Sequence, residues 1–117
     1  MSTRSMIGVV DNAGQVSAVY CHFDGYVEGV GRTLAENWNS KEDAMRLVIG
    51  GGNMRALGDT LETCDFFEND LFEMFDSVEQ FLSHMSDSDC EYLYLFVDGA
   101  WSVLSNVHEV NPLTEVA

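Results

Sequence analysis

All five basic residues of the chain (Arg4, Arg32, Lys41, Arg46 and Arg55) fall within residues 1–58, together with six acids. Residues 59–117 hold fourteen acids and no Lys or Arg. The first stretch therefore carries −1 and the second −14 of the formal net charge of −15. Apolar residues continue through both stretches, so the acidic half is not a disordered acidic tail. It must fold and present its charge on a defined surface, at a cost in self-repulsion.

That charge bounds the possible partners. Affinity for phosphate comes from Lys and Arg, so the balance argues against direct binding to DNA, RNA or an anionic membrane. It suits a basic partner, or a protein that itself binds nucleic acid. The 117 residues suit one domain with its own core, needing neither disulfides nor metal. No apolar run approaches the ~18 residues of a membrane span. The opening Met1-Ser2-Thr3-Arg4-Ser5-Met6 lacks the apolar stretch of a signal peptide. Cys21, Cys64 and Cys90 are odd in number and show no paired spacing, so free thiols in a cytoplasm are expected.

Local patterns suggest two hairpins around a helical middle. Met6 to Val10 reads as a strand, followed by the turn Asp11-Asn12-Ala13-Gly14. Gln15 to Phe23 is the returning strand, with Val16, Ala18, Tyr20 and His22 on one face and Val19, Cys21 and Phe23 on the other. Val27 to Trp38 has helical spacing. Ser40 opens a second helix that runs to Ile49 and ends at Gly50-Gly51-Gly52. Ser77 to Met85 is helical. Glu91 to Val97 and Ala100 to Ser105 form a hairpin across Asp98-Gly99. Residues 111–117 read as a loose tail. The expected architecture is α+β: a small antiparallel sheet of about four strands packed against two to four helices on one face.

The most distinctive pattern is a ladder of acids: Asp59, Glu62, Asp65, Glu68, Asp70, Glu73, Asp76 and Glu79. On a helical wheel the eight fall within about 200°. Cys64, Phe67, Leu71, Met74, Phe75, Val78, Phe81 and Leu82 fill the complementary arc, so the spacing predicts one long amphipathic helix or two short ones. Such a helix would carry a carboxylate about every 4 Å of axis at ~1.5 Å per residue. One strand of B-DNA carries a phosphate per ~3.4 Å. A rigid ladder at that density fits the phosphate-binding groove of another protein, with Phe66 and Phe72 as apolar anchors and Asp87, Asp89 and Glu91 as extensions. The alternative is a solvated helix face.

Tyr20-Cys21-His22-Phe23-Asp24-Gly25-Tyr26 is the second candidate site. A His oriented by an Asp is the base half of a nucleophilic site, and His22 and Asp24 could share a face with Tyr20. No nucleophile can be placed beside them, so no catalytic residue is assigned and an enzyme is not expected. No metal site is expected, because no CxxC or HxxxH pair exists. No cofactor is expected either. Gly29-Val30-Gly31-Arg32-Thr33 fails as a phosphate loop, because Tyr26 stands where the first glycine belongs and Arg32 replaces the lysine. His84 and His108 are isolated and read as structural or surface residues. Trp38, Trp101, Tyr92 and Tyr94 read as packing residues.

Ser2-Thr3-Arg4-Ser5, the Tyr20–Tyr26 segment and Gly29-Val30-Gly31-Arg32-Thr33-Leu34 together resemble a group of small proteins of tailed bacteriophages. Their pattern reads roughly STRSxIG, YCHWDGYP and GVGKTLLE. Glu91-Tyr92-Leu93-Tyr94-Leu95-Phe96 with Gly99 and Trp101 is similar to their ending. Departures are Phe23 for Trp, Val27 for Pro and Arg32 for Lys. The resemblance implies a phage protein made in the bacterial cytoplasm and acting on host machinery such as a restriction enzyme, CRISPR complex, nuclease or RNA polymerase.

Three expectations follow. The first is an inhibitor that binds a basic nucleic-acid-binding surface through a DNA-mimicking carboxylate face. The second is a small ligand-binding domain or enzyme using Tyr20, His22, Asp24 and Tyr26, with Arg4 or Arg32. The third is a structural homodimer paired through hairpin edges.

Overall fold

The computed structural model describes residues 3–68, 70–87, 90–105 and 111–112. Strands β1 (Ser5–Val10) and β2 (Val16–Cys21) form the first hairpin. Its turn is held by the Asp11 carboxylate, which accepts from the backbone N–H of Ala13 (2.9 Å) and of Gln15 (3.0 Å), an Asx turn. A π-helical turn over Val27–Gly31 runs straight into α1 (Arg32–Asn37). Helix α2 (Lys41–Val48) begins where expected, with Ser40 Oγ accepting from Asp43 N–H at 3.1 Å.

The chain then forms three short strands: β3 (Met54–Ala56), β4 (Asp65–Phe66) and β5 (Glu73–Phe75), with a 3₁₀ turn at Leu61–Thr63. Helix α3 (Val78–Asp87) follows, and β6 (Tyr92–Val97) and β7 (Ala100–Ser105) make the second hairpin. Asp98 (φ 53°) and Gly99 (φ 81°) are both left-handed, the backbone that a two-residue hairpin requires. Asn111–Pro112 forms β8 against β7, so this part of the expected loose tail is paired. The remaining tail residues and His108 lie outside the described residues.

The α+β class holds, but the sheet is larger than four strands and is mixed. The order is β4-β3-β2-β1-β6-β7-β8, with β5 also on β2. The two hairpins join through β1 and β6, which run parallel with Ser5 opposite Tyr92 and Val9 opposite Phe96. The outer edge of β2 is divided: β5 pairs with Val16–Ala18, and β3 meets Cys21.

Helices cover both faces rather than one. On one face, Ile7, Val9, Val19, Cys21, Tyr94 and Phe96 pack against Val30, Leu34, Trp38, Ala44, Leu47 and Val48. On the other, Met6, Val16, Ala18, Leu93 and Leu95 pack against Phe81 of α3. Gly8 lets α3 approach, since a Cβ there would stand 2.9 Å from Val16 Cγ1 and 3.1 Å from Phe81 Cζ. The period-2 reading of β2 is correct, but both of its sides face a core.

The two tryptophans are packing residues with satisfied indoles. Trp38 Nε1 donates to Gly58 O (3.0 Å) and Trp101 Nε1 to Trp38 O (3.1 Å). All three cysteines are free thiols. Among the described residues, no helix is long and apolar enough to cross a membrane.

Two outcomes are expected. Phe81→Ala should cost about 3–5 kcal/mol in denaturant unfolding, because Phe81 fills the second core. Burial pushes the Cys21 thiol from 9.0 up to about 12, and it also raises the Tyr94 phenol. The folded protein therefore retains protons that the unfolded chain releases. Stability should be full below pH 9.0 and fall as pH rises toward about 12. Cys21→Ala should flatten that slope in unfolding midpoints measured across the range.

Candidate functional site

The acidic ladder is not a helix. Asn53 fixes its path: its Oδ1 accepts from Tyr20 N–H (2.7 Å), its N–H donates to Asp70 O (2.8 Å), and its carbonyl accepts from Phe67 N–H (3.0 Å). Gly52 turns the chain at φ 111°, where a Cβ would lie 2.5 Å from Asp70 O. Thr60 and Thr63 cap the 3₁₀ turn reciprocally. These long-range bonds complete the outer edge of β2, and pairing of that kind outweighs a local helical period.

The carboxylates of Asp59, Glu62, Asp65, Glu68, Asp70, Glu73, Asp76 and Glu79 are nevertheless all exposed, as is Glu91. Asp65 lies on β4 and Glu73 on β5, Glu62 is in the 3₁₀ turn before β4, and Asp76 and Glu79 lie at the start of α3. Asp65 pairs with Arg55 Nη1 at 3.2 Å, and Arg55 also stacks on Phe67 with its guanidinium carbon 4.4 Å from the ring centre. Asp59 accepts from Asn37 Nδ2 at 3.2 Å. The Asp87 side chain and Asp89 lie outside the described residues.

The expected anchors change. Phe66 and Phe72 are half-buried against the first core, Phe66 over Gly51, and do not project as apolar anchors. Leu71 and Met74, expected inside, are 72% and 54% exposed among the acids. Loss of the helix reverses both assignments, because side chains in the irregular and extended stretch no longer follow the 3.6-residue period.

The Tyr20–Tyr26 segment leaves the end of β2 and turns at Asp24, which is left-handed (φ 58°). Gly25 then lies directly on the start of β1. Its N–H donates to Thr3 O (2.8 Å), and a Cβ would stand 2.7 Å from that oxygen. The buried Tyr94 hydroxyl donates to Gly25 O at 2.7 Å. Asp24 O accepts from Val30 N–H (2.8 Å), which ties the turn to the π-helical turn. Much of this distinctive motif is thus a lock between β1, β6 and the first helix.

Its chemical groups diverge. Cys21 enters the first core. His22 Nδ1 lies 2.7 Å from the Tyr20 hydroxyl. The Asp24 carboxylate accepts from the Tyr26 hydroxyl at 3.3 Å, and Tyr26 and Arg32 are exposed.

Tyr20 opens instead onto a cleft of ≈ 360 Å³ lined by Arg4, Met6, Tyr20, Asn53, Glu73, His84 and Cys90. The Arg4 guanidinium lies beside the Tyr20 hydroxyl. Burial raises the pKa of that hydroxyl, and Arg4 works against the shift. Met6 and Cys90 are buried. His84 packs edge-on against Phe75, with ring centres 5.3 Å apart. Reading His84 as isolated misses its place here. It sits three residues after Phe81, on the face of α3 that meets the sheet, which was the available signal. Among the described residues, no group of three or more His, Cys, Asp or Glu could hold a metal ion.

Compared with known proteins, the chain matches no family model, no curated protein sequence and no solved structure.

Tyr94→Phe should leave Gly25 O buried without its donor and cost about 1–3 kcal/mol. Faster amide exchange at Gly25 and Val30 in the variant would show that the turn has loosened.

Proposed function

We propose that this protein is a binding module that docks its acidic edge on the basic, nucleic-acid-binding surface of another protein and occludes it. The supporting observation is the exposure of all eight carboxylates from Asp59 to Glu79 along a stretch with no Lys or Arg. Lys and Arg side chains that hold phosphates also gain Coulomb attraction from a dense set of exposed carboxylates. The exposed Leu71 and Met74 add apolar contact within the charged rim. The surface follows the edge of a sheet, so the mimicry is of charge density rather than of a straight phosphate row. The likeness to phage proteins suggests a partner in the bacterial host, such as a restriction, CRISPR, nuclease or polymerase component.

The test is capture from bacterial lysate with elution along a salt gradient, followed by affinity measurement against the purified partner. Glu62, Glu68, Asp70 and Asp76 are exposed, and among the described residues no hydrogen bond or ion pair engages their carboxylates; Asp76 takes part only through its backbone N–H, which donates to Gln80 Oε1. Changing all four to Lys should leave the melting curve cooperative and abolish binding. Raised salt should weaken the wild-type complex steeply. A complex indifferent to both changes would refute the reading.

A further inference from the structure

The cleft beside Tyr20 is set apart from the acidic edge by its chemistry. Arg4 is one of five basic residues in a chain of net charge −15, and it is half-buried in the cleft rather than spread over the surface. Its guanidinium and the His22 ring both meet the Tyr20 hydroxyl, and His84 faces the same space. A guanidinium, a phenol and an imidazole around a concave space give fixed donors in a setting of reduced dielectric. Met6 and Cys90 supply an apolar floor. A volume of ≈ 360 Å³ lies at the small end of ligand pockets, so it suits a compact molecule and not a polymer.

We propose that this cleft binds a small ligand through a carboxylate or phosphate group, with Arg4 as the charge partner and His84 as a hydrogen-bond donor; Tyr20 donates as well with His22 in its Nδ1–H form, which then donates to the Tyr20 oxygen. Arg favours both anions because its planar fork matches their oxygens. Glu73 stands at the same cleft as an opposing charge. It limits the charge the site accepts and supplies a test of opposite sign. The cleft shares Glu73 with the acidic edge, but Glu62, Glu68, Asp70 and Asp76 do not line it, so the four-lysine variant tests the edge without altering the cleft.

The full chain is titrated separately with acetate and with inorganic phosphate at constant ionic strength, following the ring resonances of Tyr20 and His84. Saturable shifts are expected with at least one probe, and the probe that saturates distinguishes carboxylate from phosphate. Arg4→Gln should weaken binding about tenfold or more. Tyr20→Phe should weaken it a few-fold. Glu73→Gln should tighten it about two- to fivefold by removing like-charge repulsion. Arg32→Gln, a cation outside the cleft, should change nothing. Should Arg4→Gln fail to fold, the opposite responses of Tyr20→Phe and Glu73→Gln decide. Absence of saturable shifts with either probe, or binding that ignores these changes in folded protein, overturns the assignment.

Discussion

Strand β1 is bounded on every side, and the remaining structure is arranged around it. β2 pairs with one edge antiparallel and β6 with the other in parallel, while helices cover both faces. A strand so enclosed must be apolar throughout, and Ser5–Val10 comes close to that. The exceptions have particular reasons. Gly8 is the point where Phe81 of α3 comes down on the sheet, and Ser5 lies opposite Cys21 in the hairpin. The Asp24-Gly25 turn docks on the same strand end and is held by the Tyr94 hydroxyl from β6. The motif that marks this chain thus connects the enclosed strand to the first helix.

Elements with local causes were legible in the sequence. The Asx turn at Asp11, the Ser40 cap, the Asp98-Gly99 turn and the alternation of β2 each depend on residues close together in the chain. The stretch from Gly52 to Phe75 depends on distant partners. Asn53 completes the β2 edge from 33 residues away, and the three short strands exist because β2 and one another need pairing. Acids spaced by three can meet a helical period, but two or three residues of strand have no period long enough to compete. Phe66 and Leu71 changed places between surface and core for that reason. The Tyr92–Val97 run did carry a sign of burial on both faces, in its unbroken apolar residues.

The candidate sites divide in the same way. The exposure of the acids followed from composition, because ionised carboxylates without partners stay in water. The cleft did not, because Arg4, Tyr20, Asn53, Glu73, His84 and Cys90 come from the approach to β1, from β2, the short-strand region, α3 and the approach to β6. Tyr20 and Arg4 were singled out from sequence, but their neighbours are set by the register of the sheet. The two surfaces meet at Glu73 but differ in electrostatic character. One is a broad anionic edge open to water, and the other is a small recess with a cation inside it.

The parallel register also imposes an order in time. Ser5 and Tyr92 are 87 residues apart, so the inner edge of β1 has no strand partner until the intervening residues have been synthesised. The first hairpin and its helices can assemble early, because their contacts are local, but β1 must wait for β6 with its backbone groups unmatched. A ribosome pausing between the two would hold an apolar strand with one open edge, the arrangement most prone to pairing with another chain. The densest run of acids is made during that interval. Its charge would repel a second nascent copy while the sheet is still incomplete.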